Sequence, residues 1–229
     1  DIERVLLQTP GVTTRGEDGF GLRPNIGVRG VNSDRSAKLT LMEDGVLFGP
    51  APYAAPAAYY FPMATRLTGV EVFKGPAATR FGPSTVGGAI NVLTRQIPKG
   101  TDYALDVAGG LRGSLRAHTW GGSGNAARGV LVEGVHLQSN GFKQLDGGGP
   151  TGFDRNEFMA KARQRIGQSH ELDLKLGFAR ERSNETYLGL TLADARATPY
   201  RRYAASSAGL MTWNRTQAEL GWTVDAGPL

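Results

Sequence analysis

Between residues 172 and 178, every second side chain is a large apolar one. Leu172, Leu174, Leu176 and Phe178 alternate with Asp173, Lys175, Gly177 and Ala179, which is the period-2 pattern of a strand with one greasy and one polar face. The stretch from Glu157 to Arg165 repeats it, with Phe158, Ala160 and Ala162 opposite Lys161, Arg163 and Arg165. In a water-soluble sandwich such an apolar face meets a second sheet; in a membrane barrel it meets lipid, and the polar face lines a wet lumen. Periodicity alone does not choose between them.

Connection lengths narrow the choice. Six alternating segments are read at residues 103–111, 115–122, 129–138, 157–165, 171–180 and 210–224. Long Gly-rich loops, 139–156 and 182–209, follow the third and fifth segments, whereas the links 123–128 and 166–170 are short. Short turns at one end and long loops at the other mark an outer-membrane barrel. The link 112–114 is the exception, being short where the alternation places a loop. Tyr103, Trp120 and Trp222 lie near segment ends, as interfacial girdles require, and ordinary packed aromatics fit those places equally well.

Residues 1–100 read differently, as a compact α+β domain. Ile2, Val5 and Leu6 recur at helical spacing until Pro10-Gly11 stops the helix. Short β-rich runs follow at 26–29, 39–43, 70–73 and 89–94, bounded by signals such as Asp44-Gly45 and Gly87-Gly88. Four strands with two or three short helices are predicted, joined by Gly-, Pro- and aromatic-rich loops at 16–24, 49–56 and 82–88, a kind of loop that often carries function.

Composition excludes several classes. The 229 residues contain no cysteine, and the three histidines, His118, His136 and His170, are too widely spaced for a zinc-type site. No run approaches the roughly 20 apolar residues of a membrane helix. The chain opens on Asp1-Ile2-Glu3-Arg4 and not on a secretion signal, and because those residues read as the inside of a helix it is expected to be a piece of a longer protein. The run Gly82-Pro-Ser-Thr-Val-Gly-Gly88 lacks the Gly-Lys-Ser/Thr of a phosphate cradle, and each histidine falls in or beside a barrel segment, away from any nucleophile–base arrangement. An enzyme is not expected.

The run Arg66-Leu-Thr-Gly-Val-Glu-Val-Phe-Lys-Gly-Pro-Ala-Ala-Thr-Arg-Phe-Gly-Pro-Ser-Thr-Val-Gly-Gly-Ala-Ile-Asn-Val-Leu-Thr94 resembles the plug-domain signature of TonB-dependent outer-membrane transporters. Pro10-Gly11-Val12, Ile26-Gly-Val-Arg-Gly30 and Glu43-Asp-Gly-Val46 fall around it in that family's order. Pro52-Tyr53 before Pro56, the stretch from Arg80 to Gly88 leading to Thr94-Arg95, Asn140-Gly-Phe142 and Thr186-Tyr-Leu-Gly-Leu-Thr191 are most similar to the ferric-dicitrate branch. The resemblance implies a plug (residues 1–100) inside a 22-stranded barrel. Residues 101–229 then supply its first six strands or so, and on the order of 300 further residues are expected downstream. The signal peptide and energy-coupling box of the family are expected upstream. On that footing the net charge of +5 describes a fragment, and no nucleic-acid partner is implied.

The same resemblance implies a receptor in the outer membrane of a Gram-negative bacterium, in contact with outer-membrane lipid. It would be energised by the TonB-ExbB-ExbD complex and would import an iron chelate such as ferric citrate, with iron present only inside the chelate and no resident metal or cofactor. Another siderophore, cobalamin or a glycan is the alternative cargo. A passive porin or an adhesin leaves residues 1–100 without a purpose. An anionic ferric carboxylate suits arginine forks, hydroxyls and backbone N–H groups. The plug loops offer Arg23 and Asn25, then Tyr53, then Arg80, Ser84 and Thr85, while Arg201 and Arg202 add charge from the barrel side. A plug that must move needs polar, hydrated contacts with its barrel, for which Arg29, Glu43, Glu71 and Lys74 are candidates, with surface or intra-plug ion pairs as the other reading.

Overall fold

In the computed structural model, residues 2–48, 60–82 and 85–226 are described. The predicted ligand residues Tyr53 and Ser84, and the loop 49–56, lie outside them. The chain divides into two compact units, Asp1–Arg95 and Gln96–Leu229.

The first unit opens with helix α1 (Ile2–Leu7), which buries Ile2 and Leu6 and ends before Pro10-Gly11. Strands β1 (Val12–Gly16) and β2 (Pro24–Val28) then form an antiparallel pair. A four-stranded sheet follows, built from β3 (Leu39–Glu43), β4 (Val46–Leu47), β5 (Leu67–Phe73) and β6 (Gly88–Thr94) in the order β4-β3-β6-β5. Its two middle strands run parallel and bury Leu39, Leu41, Ile90 and Val92 almost completely, as strands covered on both faces do. Asp44 and Gly45 both take positive φ, 50° and 87°, and so make the tight reversal between β3 and β4 that an Asp-Gly pair favours. The Asp44 carboxylate then accepts from the backbone N–H and hydroxyl of Thr94, at 2.8 and 2.5 Å. Turn chemistry and sheet pairing thus share one residue.

Among the described residues of this unit, six strands stand where four are predicted, with one α-helix and several short 3-10 turns. The two additional strands had weak sequence signals. β1 reads Val-Thr-Thr-Arg-Gly, with a single apolar residue, and β4 is two residues long, too short for any periodicity.

The second unit carries six long antiparallel strands: β7 (Gly100–Gly109), β8 (Leu115–Gly124), β9 (Arg128–Ser139), β11 (Phe153–Ile166), β12 (His170–Asn184) and β14 (Leu210–Val224). They form one sheet in the order β14-β12-β11-β9-β8-β7. All six alternating segments are present, most of them longer than predicted. Asn125 closes the β8–β9 link by accepting at Oδ1 from the N–H groups of Ala127 and Arg128. The long loops contain structure that the sequence did not announce. Two-residue strands β10 (Gln144–Leu145) and β13 (Arg201–Arg202) pair in parallel, and helix α2 (Leu192–Ala197) is capped by the Thr191 hydroxyl accepting from the Asp194 N–H.

Candidate functional site

The first predicted ligand loop is organised by Asp18. Its Oδ1 accepts from the N–H groups of Phe20 and Gly21 at 2.6 and 2.8 Å, and its Oδ2 from those of Leu22 and Arg23 at 3.0 and 2.9 Å. Arg23 is buried, with Nε 3.9 Å from Asp18 Oδ2. Asn25 is also buried; its Nδ2 donates to Glu17 Oε2 at 3.1 Å, and its Oδ1 accepts from the Arg35 N–H at 2.6 Å. Both side chains therefore hold the loop from within. Glu3 belongs to the same neighbourhood: burial, then the charge of Asp18, push its carboxyl above the ordinary value.

Arg80 is placed differently. It is exposed, and its guanidinium lies over the rings of Phe73 and Phe81, 5.0 and 4.6 Å from their centroids. A planar cation held on two aromatic faces keeps its edge donors available to a carboxylate. Thr85 is half-buried and donates to the Gly82 carbonyl at 2.9 Å.

The candidates for contact with a barrel fall into two kinds. Glu43 is buried and gives its two oxygens to Arg66, at 3.2 and 2.6 Å, while the Tyr60 hydroxyl lies 3.0 Å from the same guanidinium. Arg29, Glu71 and Lys74 are less enclosed. Arg29 is exposed at positive φ, Glu71 accepts from Asn91 Nδ2 at 2.8 Å, and Lys74 donates to the Pro10 carbonyl at 2.6 Å.

In the second unit the usual sense of burial is reversed. On β12 the apolar Leu174, Leu176 and Phe178 are exposed, while Lys175, Glu181 and Ser183 are buried. Cross-strand register extends this across the sheet. Val130, Ala162, Leu174 and Leu220 form one outward row, and the exposed Phe158 stands opposite Phe178 in another. On the opposite face, Arg155 is buried between Glu157 and Glu181, at 2.5 and 3.2 Å, with its guanidinium 5.2 Å from the Trp213 ring centroid. His118 and Glu133 lie 2.7 Å apart on that face. Such an arrangement is stable where lipid covers the outward face.

Arg201 and Arg202, predicted to offer charge to a ligand, are used inside the loops. Arg201 binds Asp146 at 3.0 Å and Asp194 at 2.9 Å, tying the 139–156 loop to the 182–209 loop. Arg202 is buried and donates to the carbonyls of Pro150, Glu185, Ser206 and Gly209. Hydrogen bonds from the Tyr203 and Thr191 hydroxyls, followed by the charge of Arg201, hold the Asp194 carboxyl below its ordinary value. Two adjacent arginines carry no sequence signal that distinguishes this role from ligand binding, because Asp146 is 55 positions from Arg201, Asp194 is seven positions away in a different element, and the acceptors of Arg202 are backbone carbonyls.

Residues 1–89 match the family model described as TonB-dependent Receptor Plug Domain. The vitamin B12 transporter BtuB of Photobacterium profundum is 26% identical over 184 residues, 76% of this chain and 28% of that protein. Among solved structures, the ferric enterobactin receptor PfeA of Pseudomonas aeruginosa aligns with a TM-score of 0.64 at 16% identity, over 98% of this chain and 36% of its own. The ferric yersiniabactin uptake receptor FyuA of Yersinia pestis aligns with a TM-score of 0.64 at 22% identity, over 82% of this chain and 30% of its own. The fold is thus a plug domain followed by antiparallel strands from the N-terminal part of a receptor barrel. The chain spans about a third of the length of these relatives.

Proposed function

We propose that this chain is the front part of a TonB-energised outer-membrane receptor that imports an anionic iron chelate of the ferric citrate type into a Gram-negative cell. The observation that carries this reading is the outward display of exposed leucine, valine and phenylalanine on five strands of the six-stranded sheet, following a segment that matches a receptor plug. An outer membrane holds no ATP or ion gradient, so the TonB-ExbB-ExbD complex supplies work by pulling on the plug.

The exposed Arg80 and the Thr85 hydroxyl meet the chelate's carboxylates, together with Tyr53 and Ser84. Arg23 and Asn25 act by holding the first loop in shape around Asp18. Arg29, Glu71 and Lys74 face the barrel through contacts that exchange with water as the plug moves, while Glu43 keeps the plug's own sheet tied to Arg66.

The test is uptake of radiolabelled ferric citrate by cells carrying the full-length protein, with and without functional TonB. Uptake that depends on TonB is the expected result, and uptake indifferent to TonB removes the energised reading. The relative named as a vitamin B12 transporter makes cobalamin the second cargo to assay. TonB-dependent cobalamin uptake with no response to citrate retains the receptor and replaces its substrate.

A further inference from the structure

The plug's first and third loops are joined by a turn that the backbone disfavours. Between β2 and β3 the chain reverses from Asp34 to Ala37, with the Ala37 N–H donating to the Asp34 carbonyl at 3.1 Å. Both central residues take positive φ, 50° at Arg35 and 53° at Ser36. Positive φ at both central positions is the requirement of a type I′ turn, which sequences ordinarily meet with Asn-Gly or Gly-Gly. Arginine and serine each keep the Cβ that makes the left-handed region costly.

Such strain persists only where the surroundings over-determine it, and here the long-range contacts come from β2. Asn25 Oδ1 accepts from the Arg35 N–H at 2.6 Å. The Ser36 hydroxyl, fully buried, accepts from the Ile26 N–H at 2.9 Å and donates to the Pro24 carbonyl at 3.2 Å. β2 belongs to a two-stranded sheet, and Ser36 supplies what a further strand would. Beyond the turn, the Lys38 carbonyl accepts from the Gly87 N–H at 2.8 Å, and a Cβ on Gly87 would stand 3.0 Å from that oxygen. Gly88 follows, opening β6 beside Leu39 of β3. A continuous run of contacts thus leads from residues 24–26, through the turn, to residues 85–88.

We propose that Arg35-Ser36 is a spring-loaded catch that couples the plug's first loop, with Arg23 and Asn25, to its third, with Thr85. While β2 holds the Arg35 N–H and the Ser36 hydroxyl, the turn stays left-handed and Lys38 is in place to hold Gly87. When those contacts break, the turn relaxes, Lys38 shifts, and both loops loosen together. A two-state element biased from both ends is what physical coupling requires. Cargo seated against one loop would then steady the other; that consequence rests on the receptor reading above, and the coupling itself does not.

The test is backbone hydrogen exchange of the full-length protein in mild detergent, read by mass spectrometry on peptides covering residues 24–36 and 85–88. S36A should raise exchange about tenfold in both, because it removes two hydrogen bonds to β2. R35G takes away an exposed side chain together with its left-handed penalty, and should slow both by about threefold. T68V, on the edge strand β5 where the Thr68 hydroxyl reaches the Leu93 carbonyl, should leave both at the wild-type rate. A rise confined to 24–36 in S36A overturns the coupling, and exchange in R35G no slower than wild type overturns the stored strain. Equal loosening by T68V would be a general effect of destabilising the unit and overturns the proposal too. None of these measurements involves cargo or TonB, so a failure here leaves the uptake test standing and the two outcomes are read apart.

Discussion

Arg66 and Glu43 meet with Nη2 2.6 Å from Oε2, and both side chains are almost fully excluded from solvent. The pair joins the end of β3 to the short 3-10 turn that leads into β5. Removing one partner leaves the other charged, buried and without its counter-ion, a change that costs about 3–5 kcal/mol. Glu43→Ala is therefore expected to loosen the whole four-stranded sheet. Faster hydrogen exchange at the amides of β3, β5 and β6 in the full-length protein measures it, and unchanged protection there refutes it.

Gly88 has φ of 129°, and a Cβ at that position would stand 2.5 Å from the Phe73 carbonyl oxygen. Gly88→Ala therefore combines a disfavoured backbone with a direct clash. A destabilisation of about 1–3 kcal/mol from the backbone alone is expected. The measurement is the steady-state level of the full-length protein at rising growth temperature, which should fall earlier in the variant than in the wild type.

Arg202 satisfies four carbonyls from three stretches of chain. Arg202→Ala takes one donor from each of those groups, although the Ser206 and Gly209 carbonyls keep the backbone N–H groups of Gly209 and Glu185, and each hydrogen bond lost costs about 0.5–1.5 kcal/mol. Cleavage within residues 182–209 by a protease should rise sharply while the strands stay intact. Equal protection in wild type and variant would show that the loops hold together without this side chain.

The pH response has two signs. Asp194 is held below its ordinary pKa, so its share of the loop clasp is complete above the normal carboxylate range and is lost only as pH falls through the depressed value. Glu3 is held above its ordinary pKa, so its contribution is complete in acid and is lost as pH rises through the raised value. Loop opening, followed by spin labels on the 139–156 and 182–209 loops, should therefore begin below the usual carboxylate range, and Asp194→Asn should remove that step. Glu3→Gln should improve protection of α1 at neutral pH, and unchanged or lower protection refutes it.

The six long strands were legible because alternation is a local property, which His170 to Arg180 alone displays. Asp44-Gly45 was equally plain, since a two-residue reversal announces itself in its own residue types. The loop clasp was not. Asp146 and Arg201 are 55 positions apart, and no local rule joins them. The first-loop candidates show a subtler difficulty: Arg23 and Asn25 are the residue types a carboxylate ligand wants, and they are also the types that a loop built on Asp18, Glu17 and the Arg35 N–H needs. Residue chemistry named the groups, and only packing shows which direction they face.

The exposed leucines of β12 reverse a common engineering habit. Exchanging surface leucine for lysine improves the solubility of an ordinary globular protein, yet in the membrane barrel proposed above the same exchange at Leu174 or Leu176 would set an ammonium group into hydrocarbon, at a depth-dependent cost of about 2–4 kcal/mol near the bilayer midplane. A variant polished for behaviour in aqueous buffer would therefore be one less able to insert.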